Sequence, residues 1–283
     1  MQKVKISTEC VCDISSDILK KFEIPNMYYY IQTQEGRFRD GEEISSDNLN
    51  DYVNTQAKEA ISIPPEEEDY RNFFKKEYKK DCALLHICMA KNSSNGYINA
   101  QIAAKEFDNI YIFDSGHLSG GMGIITLCAA QMAKKGNTLE EILKKLEELR
   151  DCVSSSFVVQ HTERMYRNGK IDKNVNKICK YFSIHPLLTM KNSKIKIHGF
   201  YLGNMESYYK KYIRQLLKNK SIDTRIMFVN YAGISVEMQN KILEEIAKYN
   251  KIDKVIMQQS SATISSNCGF GTFGLLFIQK KAY

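Results

Sequence analysis

IYIFDSGHLSGGMGIITLCAAQM, residues 110–132, is a strand, a loop and a helix in series. Ile110 to Phe113 is a short apolar run rich in β-formers, as a buried strand requires. Asp114 to Ser119 supplies turn residues, and Gly120, Gly121 and Gly123 open an apolar helix. Above such a strand, unpaired N–H groups and the positive end of the helix dipole form a polar receiving site. In open parallel sheets, ligands bind beyond the carboxyl ends of the strands. The alternative is that the glycines only let the helix pack closely on the sheet. Both readings stay open on this stretch alone.

Working outward, the first half of the chain alternates strand and helix. Lys3–Ser7 is a strand whose exit, Thr8 to Asp13, is a loop, and Asp13 or Ser15 can cap a helix to about Phe22. Met27–Gln32 reads as a tyrosine-rich strand, and Arg39-Asp40-Gly41 as a turn. Ser45 or Ser46 caps a helix to about Lys58, and Ser62-Ile63-Pro64-Pro65 breaks the chain. An acidic first turn then starts a helix from Glu66 to about Lys79. Cys82–Cys88 is a buried strand followed by a loop through Asn92, Ser93, Ser94, Asn95 and Gly96 and a helix to Glu106. This alternation predicts βαβ units and a parallel sheet. Thr138 with Glu141 forms a capping box for a charged helix to about Arg150, which leads out of the first domain.

The second half has a different rhythm. Phe157–Gln160 is strand-like, Thr162–Asn168 a short helix stopped by Gly169, and Asp172 caps a helix to about Phe182. Ile184–Met190 and Lys194–His198 flank a turn and predict an antiparallel hairpin. Helices over Met205–Leu217 and Ser235–Tyr249 alternate with strands at Arg225–Val229 and Lys254–Met257. Ser260–Gly271 reads as a long Ser/Gly loop, and Thr272–Gln279 as the last strand. The expectation is an α/β chain of two domains. Residues 1–153 form a Rossmann-like parallel sheet, and 154–283 an α+β domain with a mixed sheet and a ligand between the two.

The 283 residues are 43% hydrophobic and 26% charged, enough to bury a proper core. Lys+Arg 40 against Asp+Glu 33 gives +7, spread over pairs on helical patterns. No recognised motif supports nucleic-acid binding; the basic surface suits at most transient contact with an anionic membrane. The start, MQKVKIS, lacks a signal-peptide apolar region, and no apolar run is long enough to span a bilayer. A cytoplasmic protein with its eight cysteines as thiols is expected. Cys10 and Cys12 have no second pair at zinc-like spacing, so no metal and no cofactor are expected.

Three Ser-bearing loops, near Cys10, near Ser94 and at Ser115–Ser119, share one sheet edge if their strands are neighbours. Such hydroxyls and amides suit a carboxylate or phosphate. There is no G-x-S-x-G elbow, Walker A loop or G-x-G-x-x-G with a following acid. His86 reads as a hydrogen-bonded core residue and His117 as one that can touch ligand. His161, His185 and His198 lack metal spacing, and Asp114 suits holding its loop through backbone hydrogen bonds.

Taken together, these stretches resemble the DegV family of bacterial fatty-acid-binding proteins along nearly the full length. Thr8-Glu9-Cys10-Val11-Cys12-Asp13-Ile14 resembles the family's T-D-S-T-A-D-L, and Arg39-Asp40-Gly41 its Y-x-D-G turn. Ser62-Ile63-Pro64 falls at T-S-Q-P-S, and Ser94-Asn95-Gly96-Tyr97 at S-G-T-Y. Asp114-Ser115, Ser119, Gly121 and Gly123 match D-S-x-x-x-S-x-G-x-G. Gly169-Lys170-Ile171 resembles G-R-I, His185-Pro186-Leu187-Leu188 resembles K-P-I-L, and Gly269-Phe270-Gly271 lies at H-x-G-P-G.

The resemblance implies a non-catalytic carrier with a long-chain fatty acid buried between two α/β domains, presented to a separate fatty acid kinase for lipid metabolism. It implies Ser94 and Ser62 on the carboxylate, with Ile61, Asn95 and Gly96 alongside. Ser119 and Gly121 support, and Asn267 donates where the family has histidine. The departures are Ile61 for the family threonine, Cys10 for its serine, Asn267 for its histidine and Phe270 for its proline. A family arginine has no match around Gly199–Leu202, and an insertion at Ala90–Ser93 shifts the register of Ser94 by one or two positions. Two other readings remain: an enzyme on a small anionic substrate, and a degenerate member acting as a regulatory interaction protein. A monomer is expected.

Overall fold

The structure is a computed structural model describing residues 2–56, 58–169, 171–218, 221–249 and 252–280. Lys170 of the Gly169-Lys170-Ile171 match therefore lies outside the described residues. The chain opens with β1 (Lys3–Glu9), a 3₁₀ turn (Cys10–Cys12), α1 (Ser16–Lys21) and β2 (Asn26–Met27). An excursion follows: β3 (Tyr30–Gln32), β4 (Arg37–Arg39), α2 (Ser46–Asn50) with a π turn to Thr55, and β5 (Ile61–Ile63). Then come α3 (Glu67–Glu77), β6 (Cys82–Cys88), α4 (Gly96–Ala104), β7 (Ile110–Asp114), α5 (Ser119–Lys134) and α6 (Leu139–Arg150). β1, β2, β6 and β7 form a parallel sheet in the order β2-β1-β6-β7, as the strand–helix alternation predicts.

The second half contributes β8 (Val153–Val158), α7 (Glu163–Arg167), α8 (Lys173–Tyr181), β9 (Ile184–Lys191) and β10 (Lys194–Leu202). It continues through α9 (Met205–Leu217), β11 (Ile222–Ala232), α10 (Val236–Ala247), β12 (Val255–Gln259), α11 (Ala262–Cys268) and β13 (Thr272–Gln279). Its mixed sheet has the order β10-β9-β8-β13-β11-β12, antiparallel except for the β11–β12 pair.

The helix of the opening stretch, α5, is apolar on nearly every side, and a helix of that kind must be covered all round. It lies between the two sheets. Ile6, Leu85 and Phe113 of the parallel sheet, Met122, Ile125 and Ala129 of α5, and Phe228 and Leu276 of the mixed sheet share one core. The outer face of the mixed sheet carries Phe273, Leu275 and Phe277, packed under Tyr208, Tyr212, Ile213, Met238 and Ile242 of α9 and α10. Successive side chains on a strand alternate faces, so Thr272, Gly274 and Leu276 point inward.

Three sequence expectations change. Met27–Gln32 is not one strand: β2 joins the parallel sheet, while β3 pairs with β4 and β5 in a small antiparallel sheet. Ile61–Ile63 is a strand, not a breaker; Pro64 and Pro65 follow it, where no ladder bond is lost. Ser260–Gly271 is not a loop but contains α11, capped by the Ser261 side chain on the Ile264 N–H. Its Ser- and Asn-rich sequence is a poor helix former. What holds it comes from the other half of the chain, since Asp13 accepts from the Ser261 N–H and Asp40 from the N–H groups of Ala262 and Thr263.

Candidate functional site

β1, β6 and β7 are parallel neighbours, so their exits lie side by side at the carboxyl edge of the sheet. The edge faces a cavity of about 680 Å³, within the range of sites that enclose small molecules. From the first half it is lined by Tyr29, Ile61, Ser62, Met89, Leu118 and the Asn92–Asn95 loop. From the second half the inward residues of the mixed sheet line it, including Phe157, Leu188, Ile195, Ala232 and Leu276, with Met165 of α7 and Ile264 of α11. The wall is more apolar than polar; its polar groups come from the loop edge and also from the second half, through Asn230, Thr263, Thr272 and the cationic Lys194 at the start of β10.

Six of the sequence-derived site residues stand in this wall: Ile61, Ser62, Ser94, Asn95, Ser119 and Asn267. Their roles differ. The Asn267 side-chain nitrogen donates to Ser62 Oγ at 2.8 Å and to the Thr263 carbonyl at 2.8 Å. A carbonyl can only accept, which fixes the amide's orientation. Asn267 Oδ1 accepts from Asn168 at 3.2 Å. Both Asn267 protons are thus committed, so it holds Ser62 and is not a free donor to a head group. Ser94 Oγ accepts from the Gly96 N–H at 3.0 Å and lies 3.0 Å from the Tyr29 hydroxyl. Ser119 has φ +53° and donates its hydroxyl to Asp13 Oδ2, which ties the start of α5 to the β1 exit.

Gly96, Gly121 and Cys10 sit behind the wall. A Cβ on Gly96 would meet the Tyr29 hydroxyl at 2.5 Å, and one on Gly121 would meet Ser155 Oγ at 2.2 Å. Of the two readings of the glycine-rich helix start, close packing is therefore the one its glycines serve. Cys10 Sγ accepts from the Tyr29 N–H at 3.2 Å, and burial pushes its thiol well up, away from reactivity. His117 does not face the cavity: its ring nitrogens are engaged by Ser155 Oγ at 3.0 Å and the Arg150 carbonyl at 2.9 Å. Asp114 accepts from the N–H groups of Lys91 and Gly116, as its position at the strand end predicts.

Beneath Ser94 lies a buried carboxylate that sequence reasoning missed. Glu9 accepts from the Tyr70 hydroxyl at 2.5 Å and from the Met89 N–H at 2.7 Å, with the Tyr29 hydroxyl 3.5 Å away. Burial raises its pKa, against these donors. His86 bonds Ser7 Oγ at 2.9 Å among the rings of Tyr70, Phe73 and Phe74, and burial lowers its pKa to about 3. Glu9, His86 and Cys88 each bring a ligand-type atom within 4.8 Å of the others. Both Glu9 oxygens are already occupied by protein donors, a structural arrangement. Of the tyrosines at 28–30 only Tyr29 reaches Glu9, while Tyr30 donates to Asp69 and the closest donor, Tyr70, lies 61 residues away, so no local pattern marks the carboxylate. Among the described residues, no helix is long and apolar enough to cross a membrane.

Comparison with known proteins agrees with this architecture. The family model described as "Uncharacterised protein, DegV family" matches residues 3–280. A DegV domain-containing protein of Clostridium perfringens is 28% identical over 205 residues, spanning 70% of this chain and 72% of the relative. A protein of Thermotoga maritima named fatty acid-binding protein is 26% identical over 298 residues, 99% of each chain. Two solved structures share the fold. One, a DegV family protein from Thermus thermophilus described by its fatty acid binding, has TM-score 0.86 at 22% identity, covering 98% of this chain and 99% of that one. The other, a stearic acid-binding protein from Eubacterium ventriosum, has TM-score 0.86 at 20% identity, covering 98% of each chain.

Proposed function

We propose that this chain, which belongs to the DegV family, binds one long-chain fatty acid, with the carboxylate at Ser62 and Ser94 and the acyl chain along the inner face of the mixed sheet. The observation that carries the reading is the single cavity joining those two hydroxyls to Phe157, Leu188, Ile195 and Leu276. Each methylene taken from water into such a wall gains roughly 0.8 kcal/mol, while hydroxyls and amides satisfy the head group. The apolar extent of the wall supports a carrier with no chemistry of its own over an enzyme on a small anionic substrate. Its fatty acid is presented to a separate fatty acid kinase, the role the family resemblance implies. Ile61, where the family has threonine, contributes only apolar contact, and the head group rests on fewer donors.

The test is native mass spectrometry of the purified protein, followed by extraction and identification of any lipid, then delipidation and refilling with palmitate or oleate. A stoichiometric fatty acid is expected. A clean apo mass, unchanged after incubation with a panel of fatty acids, refutes the carrier reading and favours a regulatory interaction protein.

A further inference from the structure

β10 is an edge of the six-stranded sheet, bonded to β9 on one side only. On its free side, alternate residues turn N–H and C=O groups outward. Two sets of side chains flank that row. Ile195 and Ile197 pair with Met190 and Leu188 and share the inner face, toward the cavity, while Lys194 and Lys196 take the outer face with Lys191. Past a bulge at His198, Phe200 and Leu202 continue the inner face. Leu202 pairs with Ile184, which brings Tyr181 and Phe182, at the end of α8, close to the same edge. Ile197, Phe200, Leu202, Tyr181 and Phe182 are between 45% and 83% exposed, a cluster that a lone soluble chain ordinarily covers. From Lys173 to Leu202 the chain carries six lysines and no Asp or Glu. All six are exposed, and among the described residues none of them makes an ion pair. Lys180 is felt by Glu163 of α7, but only at a distance.

We infer that β10 is a docking edge for an extended acidic and apolar segment of a protein partner, which adds a strand beside Lys194–Ile197. Its carboxylates meet Lys194 and Lys196, and its apolar side chains continue the inner face past Ile195 and Ile197. Lysines on an edge guard it against a second copy of the same chain, because pairing would set lysine against lysine. An anionic bilayer matches the charge and the aromatic rings but leaves the outward N–H and C=O groups to water. Only a strand of opposite charge takes the backbone row, the lysines and the isoleucines together. Ile195 lines the cavity and is 38% exposed, so the added strand lies along the border between cavity and solvent. The inference does not depend on what fills the cavity.

The probe is a synthetic peptide of about eight residues alternating Glu with Val or Ile, the length of an ordinary strand. Its binding to the full chain is followed by fluorescence anisotropy and by amide hydrogen exchange. Saturable binding is expected, weakened by salt, with protection gained at backbone amides within Lys194–Ile197. Lys194→Glu combined with Lys196→Glu should weaken the peptide by at least about tenfold and accept the same peptide with Lys in place of Glu. A misfolded variant cannot make that exchange of partners. A proline at the centre of the peptide, which removes a ladder donor, should also weaken binding. No binding, or binding without protection at those amides, overturns the inference. Capture of the wild type by vesicles of phosphatidylglycerol and phosphatidylcholine, with indifference to the peptide, overturns it in favour of a bilayer surface. A concentration-dependent dimer that protects the β10 amides, again with indifference to the peptide, overturns it in favour of a second copy.

Discussion

Replacing Asp40 with Asn tests how α11, which carries Ile264 and Asn267 into the cavity wall, is held. Asp40 follows β4 in the first half of the chain and is fully buried. Its Oδ1 accepts from the Ala262 N–H at 2.9 Å, and its Oδ2 from the Thr263 N–H at 2.7 Å. The amide of Asn keeps the shape but offers one acceptor and turns an N–H₂ toward the other N–H. Orphaning one buried donor costs about 1–3 kcal/mol. Losing negative charge at a buried helix N-terminus removes roughly another 1 kcal/mol. The expected loss is about 3 kcal/mol, which for a chain of this size lowers Tm by roughly 6–12 °C. The assay is urea unfolding at mildly alkaline pH with amide hydrogen exchange at Ala262 and Thr263, whose protection should fall together with the global midpoint. Burial raises the Asp40 pKa, so the wild type approaches the neutral form in acid and the penalty of Asn should shrink there. A change below about 0.5 kcal/mol with unaltered exchange at both amides, within the scatter of ordinary surface substitutions, would refute the reasoning that this carboxylate caps α11.

Three further outcomes are expected. Burial raises Asp13 to about 7, so the folded chain holds a proton there that the unfolded chain, titrating near the ordinary value of about 4, gives up. That contribution is complete below about pH 4 and is lost as pH rises through about 7; Asp13→Asn should flatten the stability profile over this window, as measured by urea unfolding at stepped pH. Gly121→Ala puts a methyl 2.2 Å from Ser155 Oγ, and Gly120→Ala puts one 2.2 Å from Asn230 Oδ1 and 2.9 Å from Phe228 Cβ. Overpacking of about 1–3 kcal/mol should outweigh the gain of about 1 kcal/mol in helix propensity, and a raised Tm for either variant would contradict the close packing of α5 on the mixed sheet. Ser62→Ala and Ser94→Ala should each weaken oleate binding by about tenfold while leaving Tm within a few degrees; unchanged affinity in both would place the carboxylate elsewhere.

Local signals fixed much of the architecture before any tertiary contact was considered. The strand–loop–helix of residues 110–132 reads directly from β-rich composition, turn residues and an all-round apolar helix. Thr138 and Glu141 form their capping box, Asp172 caps α8, and α9 and β13 begin and end where periodicity places them. Ser62 and Ser94 were singled out by an ordered series of family-like motifs, and both stand in the cavity wall. What the tertiary structure alone decided shares one cause: the partner that satisfies a group lies far away in sequence and leaves no periodic trace. α11 is a helix because Asp13 and Asp40, 248 and 222 residues from the amides they accept from, cap it. Residues 27–32 split between two sheets because β2 finds β1 while β3 finds β4 and β5. Ser62 Oγ meets the Asn267 amide, 205 residues on, and Ser94 Oγ meets the Tyr29 hydroxyl, 65 residues back. Family-like motifs place hydroxyl-bearing residues on particular loops; only the folded chain sets which distant groups those hydroxyls meet.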